Sequence, residues 1–219
     1  MRNSLITISI LIIFSCSNKI KNNDKYEQVI DTIVKYYDGS IFVSKIVELG
    51  STSSRDIIEV SVENSSTIKD YKDVSLPSSN IAFLLYNNLE KQYDIKVILK
   101  DVSSKRLYSK DDLDIMYKSN KVFKKLLNIL IIGDEKKLMN LIDNSKENYN
   151  KSEFVERLFS LEKKNSSITE GNLLGFKFDR DNRYSYVFGL LSRKNNIKSK
   201  IFLKIDYDNQ KIKLINYNW

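Results

Sequence analysis

The chain of 219 residues contains no histidine, and this absence narrows its chemistry more than any other feature. Histidine is the commonest general base and a frequent metal ligand, so Ser–His and Cys–His nucleophile systems are excluded. The single cysteine, Cys16, has no second cysteine for an internal disulfide and no Cys/His set for zinc. Proline occurs once and glycine six times, and the composition favours Ile, Asn, Lys and Tyr, as AT-rich genomes tend to encode.

The charge is basic but mixed. The formal net charge is +8, from 36 Lys and Arg residues against 28 Asp and Glu residues. Because the lysines are interleaved with acids and no nucleic-acid motif accompanies them, a solvated basic surface is favoured over nucleic-acid binding. Such a surface attracts anionic phosphates or glycans. Hydrophobic residues make up 42% of the chain, which excludes a disordered protein and supplies a core.

The first sixteen residues have the order of parts found in a secretory signal. Arg2 supplies a positive charge, residues 5–14 are mostly apolar, and the small Ser15 precedes Cys16. This run is shorter than the roughly 20 apolar residues that a membrane-spanning helix requires. The segment Ile13-Phe14-Ser15-Cys16 resembles the lipobox of bacterial lipoproteins. The resemblance implies a signal peptide at residues 1–15, cleavage before Cys16 and a diacylglyceryl group on its sulfur.

The residues that follow Cys16 are consistent with a lipid-anchored protein. Residues 16–24 are polar and net basic, which predicts a flexible tether. Ser17 stands where an aspartate indicates inner-membrane retention, and the acidic cluster that directs some lipoproteins to the cell surface is missing. By resemblance we expect an outer-membrane anchor on a protein that faces the periplasm, with the bilayer as partner of its acylated N-terminus. An incidental or buried thiol is the weaker interpretation of Cys16.

Residues 25–104 predict a first α+β domain. Asp38-Gly39 is expected to end its first helix, and Ser78 or Ser79 to cap its second. In the second strand the alternation places Ile58, Val60 and Val62 toward the core. The predicted elements are a helix over 26–37, strands over 41–49 and 57–63, a long loop over 64–78, a helix over 80–91 and a strand over 95–100.

Residues 105–219 predict a second α+β domain with three helices followed by an antiparallel meander. Ser109 and Asp112 form a capping-box pattern at its start. Asn120 is the one polar residue in a long apolar stripe and is expected to mark a break between two helices, and Gly133-Asp134 is expected to end the stripe. The predicted helices cover 113–131, 135–142 and 152–163, and the predicted strands 167–178, 184–191, 200–207 and 211–217.

This order of elements is similar to the nuclear-transport-factor-2-like fold, with residues 118–219 carrying the resemblance. The stretch 123–142 resembles the first two helices of that family, where a Gly-Asp like Gly133-Asp134 often separates them. The resemblance implies a sheet curled around a long helix into a cone with an apolar mouth. The family includes dehydratases and isomerases as well as non-catalytic binding and dimerising domains, so it bears on fold more than on function.

Five residues are the candidates for chemistry in such a cone. Each has a structural explanation that is favoured: Asp134 follows a helix-ending glycine, Asp179 lies at a turn, and the tyrosines alternate as core-facing strand residues. No catalytic residue is therefore assigned. The five candidates are Asp134, Glu170, Asp179, Tyr184 and Tyr186.

Two further clusters are best explained without a ligand. Asp111, Asp112 and Asp114 resemble part of a calcium loop, but the glycine and the terminal glutamate are missing, and their place in a first helical turn explains them. No metal and no cofactor is predicted. The basic residues of the last hairpin are expected to form one solvated side of the sheet, with contact to phosphates or glycans as the alternative. They are Lys198, Lys200, Lys204, Lys211 and Lys213. Trp219 either seals the sheet or anchors an interface.

Two functions of different classes follow. The first is a membrane-anchored periplasmic lipoprotein that acts as a non-enzymatic binding or interaction module of the cell envelope. Its partner is expected to be an envelope protein or polymer rather than nucleic acid, and its oligomeric state is open. The alternative is a carboxylate-dependent hydrolase or isomerase that uses the cone of the second domain. A deep pocket with convergent polar groups favours the enzyme, whereas a filled cone with an exposed apolar patch favours the binding module.

Overall fold

The computed structural model describes residues 24–49, 54–88, 93–143, 150–164, 167–194 and 196–218, which form an α+β structure with two four-stranded sheets. The signal peptide, Cys16, most of the tether, Lys91 and Trp219 lie outside the described residues. The helices are α1 (Asp24–Tyr37), α2 (Ser66–Lys69), α3 (Ser75–Asn88), α4 (Lys110–Ile132), α5 (Glu135–Leu141) and α6 (Lys151–Lys164). Within the described part of the chain, no helix has the length and apolar character needed to cross a membrane.

The first sheet has the strand order β1-β2-β3-β4, with β2 and β3 parallel and the other pairs antiparallel. Its strands are β1 (Ser40–Leu49), β2 (Ser54–Glu63), β3 (Asp94–Leu99) and β4 (Ser104–Tyr108). The prediction that Ile58, Val60 and Val62 face the core is confirmed, since each is at most 3% exposed. Sequence reasoning missed β4, because in this short polar strand only Tyr108 is buried.

The predicted long loop over 64–78 is wrong, because α2 and the start of α3 occupy part of it. The expected caps Ser78 and Ser79 instead lie buried inside α3. The Asp73 side chain caps the start of α3: its Oδ1 accepts from the backbone N of Ser75 at 3.0 Å and from the Ser75 hydroxyl at 2.6 Å. Pro77 occupies the first turn, where its missing N–H leaves no helical hydrogen bond unmade.

Helix α3 joins the two halves of the protein. It packs against α1, against β3 of the first sheet and most extensively against β5 of the second. Its Asn80 donates to the carbonyl of Leu173, and its Ser79 hydroxyl accepts from the backbone N of Phe176 at 2.8 Å. Buried residues of both halves belong to one hydrophobic core.

The second sheet is the expected antiparallel meander of β5 (Ile168–Asp179), β6 (Tyr184–Arg193), β7 (Lys198–Asp206) and β8 (Lys211–Asn218). Helix α4 packs on its inner face. The capping box of Ser109 and Asp112 is confirmed, and Gly133 ends the helix with φ 81°. The break expected at Asn120 is wrong, since α4 runs without interruption and Asn120 is only 8% exposed.

The space between α4 and the second sheet is filled by side chains of α4. A Cβ added at Gly189 would lie 2.6 Å from the ring of Phe123, and one at Gly171 would lie 2.4 Å from Leu127. These contacts explain why glycine occupies both sheet positions. The inner face of this sheet is therefore largely core, apart from a cleft of about 230 Å³ lined by Phe123, Gly171 and Leu173, and a larger groove lies on the opposite face.

Candidate functional site

Strand β6 presents its large aromatic residues away from the core. Its buried positions are Ser185, Val187, Gly189, Leu191 and, at the strand end, Arg193, whereas the alternate positions are half-buried. The prediction that Tyr184 and Tyr186 face the core is therefore wrong. Small residues let α4 approach closely: the hydroxyls of Ser119 and Ser185 are 2.6 Å apart, and Phe123 packs over Gly189.

The outward rings of β6 and β7 contact one another. The rings of Tyr186 and Phe202 are stacked, with centroids 5.7 Å apart and 13° between their planes. Phe188 packs against the same Phe202 ring at 5.1 Å in a tilted arrangement. We call this outward row the aromatic face; it consists of Tyr184, Tyr186, Phe188, Leu190 and Phe202.

A groove of about 680 Å³ runs between the aromatic face and residues 67–76 of the first half. Such a volume lies within the range of ligand sites in proteins. Its apolar lining is formed by Tyr71, Leu76, Leu174, Phe188, Leu190 and Phe202. Its charged lining is formed by Asp70, Lys72, Asp73 and Lys200. The groove thus combines apolar walls with charges of both signs.

Two contacts hold residues 67–76 against the second sheet. Lys177 of β5 forms an ion pair with Asp73. Gly175 lies at a β-bulge of β5, and a Cβ there would lie 2.3 Å from the backbone oxygen of Leu76. Burial acts to raise the pKa of Asp73, but hydrogen bonds from Lys177 and Ser75 outweigh it and lower the pKa to about 2. The Asp73 carboxylate therefore stays ionised and keeps the groove wall in place.

Three of the five candidates meet at the other end of the aromatic face. Asp179 lies directly opposite Tyr184 on the neighbouring strand, and Lys204 Nζ lies 4.1 Å from the centre of the Tyr184 ring. Burial, and then the charge of Asp179, raise the pKa of Tyr186. A hydrogen bond from the Asn182 side chain is the main cause that lowers the pKa of Asp179.

These pKa shifts determine what the three residues can do. The Tyr186 hydroxyl stays protonated and the Asp179 carboxylate stays ionised near pH 7, since both pKa values move away from neutrality. General acid–base catalysis is most efficient when the pKa lies near the working pH. The arrangement therefore supplies a fixed donor and a fixed acceptor, as binding sites do.

The other two candidates lie elsewhere. Asp134 caps α5, accepting from the backbone N of Lys137 at 3.0 Å. The hydrogen bond from the Lys137 side chain is the largest cause that lowers the pKa of Asp134. Glu170 is exposed on β5, opposite Ser192. The structural explanation of Asp134 is confirmed, and neither carboxylate joins the aromatic face.

The acidic residues at the start of α4 cap the helix and bind neighbouring side chains. Asp112 is 4% exposed, accepts from the backbone N of Ser109 and pairs with Arg180. Asp114 accepts from the hydroxyl of Tyr86. Within the described ranges, no group of three or more Asp, Glu or Cys residues is arranged to hold a metal ion.

The lysines of the last hairpin do not form one solvated side, contrary to the prediction. Lys200 and Lys204 share the outward face with Phe202, as expected. Lys213 pairs with Asp143 at 2.5 Å, and Lys211 donates to the backbone oxygen of Asn140. Lys213 thus joins β8 to the segment after α5, and Lys211 joins it to the end of α5; Lys213 is the extra residue at a β-bulge in β8.

Sequence reasoning missed the groove because its two walls are distant in the chain. The sequence predicts a loop over residues 64–78, and nothing in it indicates that Phe188 points outward. The alternation of Tyr184, Tyr186 and Phe188 defined one face of the strand, and only the helix that covers the other face identifies it as outward. Comparisons with protein-family models, with curated proteins and with solved structures gave no match to this chain.

Proposed function

We propose that this chain is a lipid-anchored, non-enzymatic binding protein of the cell envelope, and that its aromatic face and groove bind a sugar polymer of the envelope. The observation that carries the proposal is the groove of about 680 Å³ beside the partly exposed rings of Phe188 and Phe202. Sugar rings have apolar C–H faces that stack on aromatic rings, and hydroxyls that bond to polar groups at their edges. The aromatic face offers both.

The length of this face supports a polymer over a single sugar. At about 3.3 Å per residue, the row from Tyr184 to Leu190 extends about 20 Å along β6. Fixed polar groups lie at one end, namely Asp179, the Tyr186 hydroxyl and Lys204, and the groove lies at the other. A chain of several sugar units fits such a surface better than one unit.

The covalent anchor and the fold of the second half are parts of the same proposal. Cys16 is proposed to carry the diacylglyceryl group in the outer membrane, with the protein facing the periplasm. Residues 105–219 are proposed to form a nuclear-transport-factor-2-like unit, which the order of three helices and an antiparallel meander supports, and residues 25–104 an α+β unit that shares its core. Replacing Cys16 by Ala should abolish palmitate labelling. Labelling that persists in this variant would refute the proposed anchor at Cys16.

The binding proposal is tested by sedimentation with insoluble, cross-linked sugar polymer isolated from bacterial envelopes. The variant F188S/F202S removes two rings worth about 1 kcal/mol each, so we expect binding about 30-fold weaker. The control F42S/L107S changes two apolar residues of the first sheet, which are 55% and 43% exposed, and should bind like the wild type. Equal binding by all three proteins would refute the proposal.

A further inference from the structure

Helix α4 carries a run of basic residues without acids. Between Asp114 and Asp134 the chain has no Asp or Glu but four lysines, Lys118, Lys121, Lys124 and Lys125. All four are exposed, and the ion pairs of the described residues involve none of them. These four lysines give α4 a local concentration of positive charge.

The same side of α4 ends in exposed isoleucines. Ile131 is 53% exposed and Ile132 is 64% exposed. At 100° per residue, the four lysines and the two isoleucines fall within an arc of about 140°, and they extend about 21 Å along the helix. We call these six residues the α4 surface. At its apolar end, Ile131 lines a cleft together with Lys163 and Lys164 of α6.

We propose that the α4 surface binds the anionic headgroups of the membrane that holds the lipid anchor, with Ile131 and Ile132 entering the interface. The inference rests on the proposed anchor at Cys16 but not on the sugar-binding groove. Near an anionic bilayer each lysine contributes about 1 kcal/mol, which is about fivefold in affinity. A soluble polyanion would satisfy the lysines but leave the isoleucines in water, so a bilayer suits the whole surface better.

The length of the tether allows this contact. Eight residues from Cys16 to Asp24 extend at most about 28 Å, and α1 adds about 20 Å. A second cleft, distinct from the one at Ile131, is lined by both Tyr36, near the end of α1, and Lys124 of α4. An anchored chain therefore keeps the α4 surface within about 50 Å of the bilayer, and this tethering raises the effective concentration of a weak contact.

The test uses residues 16–219, the chain left after the proposed cleavage, with Cys16→Ala so that no acyl group contributes, and vesicles of phosphatidylcholine alone or with 30% phosphatidylglycerol. The charge variant is K118Q/K121Q/K124Q/K125Q. Its control, K72Q/K105Q/K194Q/K198Q, removes the same charge from exposed lysines elsewhere. We expect stronger binding to the anionic vesicles, a loss of at least fiftyfold in the charge variant and less than threefold in the control.

Two further arms separate the possible failures. I131S/I132S should lower affinity for anionic vesicles about tenfold, and unchanged affinity would overturn the claim that Ile131 and Ile132 enter the interface. Equal binding to both vesicle types, or equal losses in the charge variant and its control, would overturn the proposal. F188S/F202S should bind vesicles as the wild type does. A failure of sugar binding would therefore not count against membrane binding by the α4 surface. Circular dichroism confirms that each variant is folded.

Discussion

Arg193 and Glu162 form the ion pair that most clearly joins α6 to the second sheet. Their side chains are 0% and 8% exposed. Nη1 and Nη2 of Arg193 donate to Oε2 and Oε1 of Glu162 at 2.8 and 2.9 Å, so the pair is bidentate. Because both groups are withdrawn from water, the carboxylate is expected to be necessary for the guanidinium to remain buried.

We expect Glu162→Ala to lower the free energy of unfolding by about 4 kcal/mol. Removing one partner of a buried pair costs about 3–5 kcal/mol, since the remaining charge loses the group that compensated its desolvation. Coulomb's law gives an interaction energy of similar magnitude, about 4 kcal/mol, for two unit charges about 4 Å apart at an effective dielectric constant of about 20.

The chain offers a matched control in Arg183 and Asp208, which form an ion pair at 2.9 Å with side chains 73% and 46% exposed. Asp208→Ala should cost at most about 1 kcal/mol, because water screens this pair. Urea unfolding followed by circular dichroism measures both changes, with the slope against denaturant unchanged. The double variant E162L/R193M should recover most of the loss. A cost for Glu162→Ala below about 1 kcal/mol, or equal to that of the control, would refute the reasoning.

Three other predictions concern the helices and the groove wall. Gly175→Ala should cost about 3 kcal/mol in urea unfolding, because its Cβ would meet the Leu76 backbone, whereas Gly133→Ala, with φ 81° and open space around it, should cost about 1 kcal/mol. Ser109→Ala removes the cap of α4 and should cost about 1 kcal/mol, measured by thermal unfolding. The pKa of Asp73 falls from 3.8 to about 2 on folding, so its stabilisation is present above about pH 4 and lost as the pH falls to 2. Asp73 is partly exposed, so wild type and Asp73→Asn should differ by about 1 kcal/mol at pH 7 and by only a small part of that at pH 2.

Elements with strong periodicity or specific end signals were predictable. The capping box at Ser109, the glycine end at Gly133 and the four strands of the meander follow from local sequence, and the structure has them within about two residues. Asn120 shows where this reasoning fails. A polar residue in an apolar stripe looked like a break, but tertiary packing keeps the helix continuous across it.

The candidate site needed information that no local pattern contains. Strand alternation separates the two faces of β6 but gives no reason why the face with Ser185 and Gly189 should be covered. The packing of α4 determines which face is covered, because its Phe123 ring occupies the space that a side chain at Gly189 would need. The groove also depends on α3 bringing residues 67–76 to the second sheet, a contact between positions about a hundred residues apart in the chain.

The proposed sugar site is tested most directly by amide hydrogen exchange with and without soluble fragments of the envelope sugar polymer. We expect slower exchange in residues 67–76, 184–190 and 198–204, and little change in α4 or in the first sheet. The same fragments should protect none of these segments in F188S/F202S. Protection confined to other parts of the chain, or equal protection in that variant, would contradict the claim that the aromatic face and its groove are the binding site.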